Sequence, residues 1–239
     1  MKLLVPNRRF DPNTFEMIDR PDSDPTVLRD DLKNLRRINR YFGGHSAVRA
    51  AILPLIEEVD PSRPVEILDL ATGSADHPTM IAKLGRTINR SIRITGVDKN
   101  PEMLKIAREL TMGFPSITIE HGDITSPAYP DKSFDIVLCS LTLHHFSRED
   151  AVGILRHLTR LSRVGFIVND LNRTWVGAWT TWLFTHVAMR NPMTLNDSYA
   201  SVMRAFTPAE LRAMSKEAGV QHFQIATRPF FRLIMIGTN

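Results

Sequence analysis

Asp69, Asp98 and Asp123 each close a short apolar run and are each followed by small or turn-forming residues. In the first case Val65-Glu66-Ile67-Leu68-Asp69-Leu70 runs into Ala71-Thr72-Gly73-Ser74-Ala75-Asp76, a segment too short for a helix that reads as a buried strand entering a tight turn. Carboxylates at consecutive strand ends are where a nucleotide-like cofactor needs acceptors. Any one of the three alone could as well be a helix cap or turn former; their recurrence points to a shared ligand. His144 and His145 follow a later apolar run. An imidazole of ordinary pKa, about 6.5, can act as a general base at neutral pH.

The elements that must position these residues follow from apolar spacing. Residues 25–41 place Val27, Leu28, Leu32, Leu35 and Ile38 on one helical face and end at Gly43-Gly44. A second helix extends to about residue 58, and Pro61-Ser62-Arg63-Pro64 separates the pair from the first strand. Strand and helix patterns then alternate. Strands are predicted at 65–70, 92–97, 117–120, 134–140 and 164–168, with a helix over 77–84 stopped by Gly85, one opened by Asn100-Pro101-Glu102 and one started at Ser147. Such alternation implies a parallel sheet with helices on both faces. A helical insertion follows over 174–204, then the capping box Thr207-Pro208-Ala209-Glu210, then an antiparallel pair, 222–226 and 230–236, at the sheet edge.

The expected fold is therefore α/β, a doubly wound, mostly parallel, Rossmann-like sheet of seven strands with an antiparallel edge strand. The expected organisation is a polar leader and helical cap over 1–63, a cofactor-binding core over 64–172, a helical lid over 173–206, and a C-terminal helix and edge hairpin over 207–239. At 239 residues the chain can bury one full α/β core. Its single cysteine, Cys139, excludes an intramolecular disulfide and a cysteine-based zinc site, and no metal is expected. Met1-Lys2-Leu3-Leu4-Val5 turns polar too soon for a signal peptide, so a cytoplasmic location is expected. The apolar stretch 175–189 falls short of the roughly 20 residues of a spanning helix, so no stable membrane insertion is expected. A net charge of +4 with scattered Lys and Arg gives no nucleic-acid stripe.

A dinucleotide fold wants G-x-G-x-x-G in the first turn, and Ala71, Gly73 and Asp76 stand at those positions, which disfavours a nicotinamide cofactor. A cofactor without pyrophosphate relaxes that demand, and S-adenosylmethionine fits. Over about residues 65–146 the chain resembles class I S-adenosylmethionine-dependent methyltransferases, particularly the small-molecule branch that includes quinone and polyketide methyltransferases. Asp69 to Ala75 resembles the family's first motif, with alanine at two positions where glycine is usual. Thr95-Gly96-Val97-Asp98-Lys99-Asn100-Pro101 resembles the second, and His121-Gly122-Asp123-Ile124 the third. The resemblance implies that Ala71, Thr72 and Gly73 line the amino-acid half of the cofactor, with Asp69 orienting that loop. It further implies that Asp98, beside Lys99, accepts both ribose hydroxyls, that Asp123 and Ile124 meet the adenine, and that Ser140 and Leu141 cover the cofactor. S-adenosylhomocysteine is then the product.

Methyl transfer from a sulfonium needs positioning and a dry site, and a base only where the acceptor must lose a proton. His144 and His145 are the candidate catalytic residues. Asp170 faces the same cleft or caps the following helix. Tyr41 and His45, near the end of the N-terminal helix, and Trp175 and Trp179, on the insertion, are the candidate substrate-binding residues, with a packed core role as the alternative for the tryptophans. The expected activity is O-methylation of a small hydrophobic acceptor of phenolic, quinol or polyketide-derived type. A nucleic-acid methyltransferase is opposed by the missing Asn/Asp-Pro-Pro-aromatic run after the fourth strand, where Ser140-Leu141-Thr142-Leu143 stands. A protein of this fold that binds the cofactor without methylating is the other alternative. The helical N-terminus could exchange between subunits in a homodimer.

Overall fold

The computed structural model describes residues 5–14, 16–20 and 23–239, so the first four residues of the signal-peptide reading lie outside the described residues. Helix α1 (Pro25–Tyr41) begins where Asp24 accepts from the backbone N–H groups of Thr26 and Val27, with Pro25 at its first position. Helix α2 (Gly44–Glu57) follows across Gly43, whose φ of 81° lies in the left-handed region open to glycine. The alternating region then gives β1 (Val65–Leu70), α3 (Asp76–Thr87), β2 (Ile92–Asp98), α4 (Pro101–Thr111), β3 (Ile117–His121), β4 (Phe134–Ser140), α5 (Arg148–Leu161) and β5 (Ser162–Leu171). The insertion consists of two helices, α6 (Trp175–Ala188) and α7 (Pro192–Arg204), divided where Asn191 caps the second. Helix α8 (Pro208–Glu217) opens on the expected capping box, and β6 (His222–Arg228) and β7 (Arg232–Thr238) close the chain.

The seven strands run β3-β2-β1-β4-β5-β7-β6. The first five pair in parallel, and β7 is antiparallel to both β5 and β6. The chain winds outward from β1 to β3 and then restarts at β4 on the other side, so the switch point lies between the carboxyl ends of β1 and β4. One apolar layer lies under α5 and α8, with Leu155, Leu158, Phe166 and Met235 buried in it. The opposite layer is filled by α2 and α3 against Ile67, Ile94, Ile136 and Ile167.

One local expectation is corrected. Gly85 lies inside α3 instead of ending it, and a Cβ there would meet the Ile92 side chain at 2.8 Å, so the glycine serves close helix-to-sheet approach. The expected antiparallel pair stands at the sheet edge, β7 pairing with β5 and β6 lying outside it. At the amino end of the sheet, the fully buried Asp135 accepts two bonds of 2.7 Å from the Arg63 guanidinium and one of 2.9 Å from the Glu66 backbone. These bonds hold its carboxyl below the usual range against the opposing effect of burial, and keep the charge at the end away from the switch point.

Candidate active site

The switch point opens into a cleft of about 360 Å³ lined by the β1–α3 turn, the ends of β2 and β4, and the N-terminal segment. Thr72 donates to Asp69 at 2.6 Å, and Asp69 itself is buried behind the turn. A Cβ on Gly96 would stand 2.9 Å from the Thr72 hydroxyl oxygen, so the glycine in β2 makes room for the side chain that locks the turn. Burial pushes the Asp69 carboxyl up to about 7, against the Thr72 bond and with help from the nearby charges of Asp98 and Asp76. Ala71, Gly73 and Ala75 all have φ between 54° and 57°, so both alanines occupy left-handed backbone that glycine adopts more easily.

Asp98 lines the cleft. One of its oxygens accepts from Gly73 N–H and the other from Asn100 N–H, both at 2.9 Å, leaving each a further lone pair for a ligand hydroxyl. Burial raises its pKa in spite of those two bonds. Ala71, Thr72, Gly73, Lys99, Ile124, Ser140 and Leu141, the other candidate cofactor contacts apart from Asp69 and Asp123, also line the cleft. Asp69 does not; it positions the turn through Thr72. Asp123 does not either: its carboxylate closes a turn by accepting from the Thr125 N–H and hydroxyl at 2.7 Å, while its neighbours Gly122 and Ile124 face the cleft.

His77, at the start of α3, was not singled out by sequence reasoning. It lines the cleft, burial pushes its imidazole down to about 4, and its Nε2 has no hydrogen-bond partner among the described residues. A neutral ring with a spare nitrogen, an aspartate with spare lone pairs and a glycine turn with nothing within 4 Å of an added Cβ at Gly73 suit a small polar ligand. Asp76 at the first turn of α3 puts a carboxylate, held by His45 at 2.9 Å and Asn39 at 3.1 Å, where a pyrophosphate would have to sit. That charge disfavours a dinucleotide.

A second cavity of about 440 Å³ lies beside the first, walled by α1, α6, α7 and the β6–β7 turn. Its lining is mostly apolar, with Phe42, Phe184, Phe230 and Phe231 among the rings. Ile18, Leu35, Leu141 and His145 line both cavities and so form the partition between them. Leu141 sits there with φ of 53°, a strained backbone at the junction.

His144 and His145 both reach the second cavity. His144 Nδ1 is 2.6 Å from Asp170, which also accepts from the His144 N–H at 3.1 Å. Asp170 thus orients the ring; the helix-cap role does not arise, since α6 is capped by Thr174. Although burial opposes it, the neighbouring His144 ring and the hydrogen bond they share hold the Asp170 carboxyl low. His145 Nδ1 is 2.6 Å from Asp19. Burial would lower its pKa, but the Asp19 bond and the charges of Glu16, Asp19 and Asp170 outweigh burial and lift it to about 9. A pKa near 9 favours the imidazolium form of His145 at neutral pH, which suits it less than His144 to the candidate role of base.

The N-terminal segment completes both cavities. Glu16 accepts from the Ser201 hydroxyl at 2.6 Å, Asp197 receives the N–H groups of Met17 and Ile18 at 3.0 Å, and Arg9 N–H donates to Met203 O at 3.0 Å. Arg8 donates to Phe146 O at 2.7 Å. Sequence reasoning took this stretch for a polar leader; two apolar residues flanked by acids in Glu16-Met17-Ile18-Asp19 were the available signal. Glu16, His144 and His145 each bring a ligand atom within 4.8 Å of the others, a spacing that could hold a metal ion, yet both imidazoles and the carboxylate already have the partners named above.

The four expected substrate-binding residues lie outside the second cavity. Tyr41 is 66% exposed, and His45 faces the outer groove with it and holds Asp76. Trp179 is 63% exposed, and Trp175 packs on Ala178, Val202 and Met203. The tryptophan face of α6 turns away from the cavity, and Thr180, Thr181, Phe184 and Thr185 turn toward it.

Residues 67–165 match the family model described as a methyltransferase domain. A demethylmenaquinone methyltransferase of Chlorobaculum parvum is 30% identical over 46% of this chain and 41% of its own length, and the ajmaline N-methyltransferase of Rauvolfia serpentina is 30% identical over 52% and 43%. The matched region thus spans well under half the length of these curated relatives. The solved structure of the plantazolicin methyltransferase BpumL in complex with SAH superposes with a TM-score of 0.68 at 16% identity, covering 94% of both chains. No helix among the described residues is long and apolar enough to cross a membrane. The motifs and the strand order agree with that domain match, and over residues 67–165 the chain is similar to S-adenosylmethionine-dependent methyltransferases.

Proposed function

We propose that the protein methylates an oxygen of a small apolar acceptor held in the second cavity, with S-adenosylmethionine in the first. The observation that carries this reading is the shared partition: two cavities of different character have Ile18, Leu35, Leu141 and His145 as common walls, beside a buried His144–Asp170 pair. When bound, S-adenosylmethionine supplies an electrophilic methyl group. Asp98 would hold its ribose, the Ala71–Ser74 turn its amino-acid part, and Ile124 its adenine. His144, its Nδ1 fixed by Asp170, offers Nε2 to take the acceptor's proton, and Asp170 steadies the charge that results. The apolar walls and the N-terminal segment exclude water.

A base is superfluous for a neutral amine, so the dyad favours an acceptor that must lose a proton, such as a phenol, quinol or enol. Relatives named for demethylmenaquinone and for ajmaline support a small-molecule acceptor. Calorimetric titration with S-adenosylhomocysteine, with NADH as control, tests the first half of the reading. Micromolar binding of S-adenosylhomocysteine alone is expected, and preference for NADH overturns it. Formation of S-adenosylhomocysteine from S-adenosylmethionine with phenolic acceptors tests the second half, separating a methyltransferase from a protein that only binds the cofactor.

A further inference from the structure

Arg232, the first residue of β7, is 2% exposed and lines the acceptor cavity. Its Nη2 donates to Asn39 Oδ1 at 2.9 Å, whereas its Nη1 has no hydrogen-bond partner among the described residues. No carboxylate lies within ion-pair distance of it among those residues, in contrast to the buried Arg173 and Arg204, which are paired with Glu210 and Glu16. Burial pushes its pKa down to about 10, which leaves it charged at neutral pH. A buried guanidinium with a spare donor is costly unless an anion meets it.

The acidic groups on the cavity wall are otherwise occupied. Asp197 receives the backbone of Met17 and Ile18, Glu16 has Ser201 and Arg204, and Asp31 accepts from the Thr194 hydroxyl. Burial lifts the Asp31 carboxyl to about 6 in spite of the Thr194 bond. Arg232 pairs with Leu171 across the β5–β7 ladder, next to Asp170 of the dyad. Its spare donor and the proton-accepting ring of His144 therefore belong to the same end of the cavity.

We propose that Arg232 is the anion-binding subsite of the acceptor cavity, and that the acceptor carries an anionic oxygen, either the ionised reacting hydroxyl or a carboxylate beside it, which Nη1 receives. This deepens the reading above and rests on it. In the first case His144 takes the hydroxyl proton, the oxyanion held by Arg232 forms the new bond to the methyl carbon, and the sulfur keeps the electron pair of the broken bond. The product is a neutral ether. In the second case Arg232 only orients the acceptor.

The test uses the full chain saturated with S-adenosylhomocysteine, with 2-naphthol and 1-hydroxy-2-naphthoate as calorimetric probes. Arg232→Met is expected to weaken hydroxynaphthoate at least about tenfold while leaving S-adenosylhomocysteine affinity unchanged. Naphthol affinity that rises with pH in the wild type and not in the variant assigns the reacting hydroxyl. A pH-independent naphthol affinity, equal in both proteins, assigns the neighbouring carboxylate. Arg232→Lys, which keeps the charge without the fork, should fall between and serves if the methionine variant does not fold. Equal binding of both probes by wild type and variant, or no binding of either probe by wild type at millimolar concentration, overturns the proposal. Intact S-adenosylhomocysteine affinity in those same samples would leave the cofactor reading standing.

Discussion

Replacing Asp19 by Asn tests the electrostatics of the partition most directly. Asp19 accepts from His145 Nδ1 at 2.6 Å, and His145 is lifted from about 6.5 to about 9. A raised folded-state pKa stabilises the fold fully below the unfolded value and loses that contribution as pH rises through the folded one. The shift corresponds to a ceiling of about 3 kcal/mol at roughly 1.4 kcal/mol per unit. The two side chains are 18% and 27% exposed, and screening brings the expected contribution to about 1–2 kcal/mol. Asp19→Asn should therefore unfold in urea about 1–2 kcal/mol more easily than wild type near neutral pH, and the gap should narrow as pH rises from about 6.5 to about 9. Proton NMR of the imidazole should show His145 titrating near 9 in the wild type and well below that in the variant. A gap that stays constant over that range, or a wild-type His145 that titrates near 6.5, would refute the reasoning and return His145 to the list of candidate bases.

Asp98→Ala should weaken S-adenosylhomocysteine by one to several kcal/mol, read by calorimetry, because charge-assisted bonds to the ribose are lost; near-normal affinity would remove Asp98 from the site. His144→Gln should cut turnover about a hundredfold or more with a phenolic acceptor while cofactor affinity holds, and His145→Gln should cut it less. Ala71→Gly relieves a left-handed alanine at φ 57° and should stabilise the fold by about 0.5 kcal/mol in urea unfolding; a loss above about 1 kcal/mol would mean that its methyl group packs against something that matters. Dialysis against a chelator should leave turnover unchanged, and loss restored by added divalent metal would make Glu16, His144 and His145 a metal site.

The sheet and its cofactor cleft were legible because local signals carry them. Asn100-Pro101 opens α4, Thr207 and Glu210 form the capping box of α8, and β1 and β4 are continuous apolar runs, as strands buried on both faces must be. Asp98 was legible because it ends such a strand. Asp123 misled because it ends one too, yet its side chain spends both bonds on its own turn. The acceptor cavity was not legible, because its walls come from segments remote in sequence. Spacing put the tryptophans of α6 on one face but could not say which way that face turns; packing of α6 on α7 decides it. The partners of the two histidines, Asp19 and Asp170, lie 126 and 26 positions away from them.

Met17 to Asp19 bear on both compartments at once: Ile18 and the His145 that anchors Asp19 are walls of each, Asp19 faces the first cavity, and Asp197, which anchors Met17 and Ile18, faces the second. The two compartments therefore share one structural element, and a displacement of it would open both together and break the His145–Asp19 pair between them.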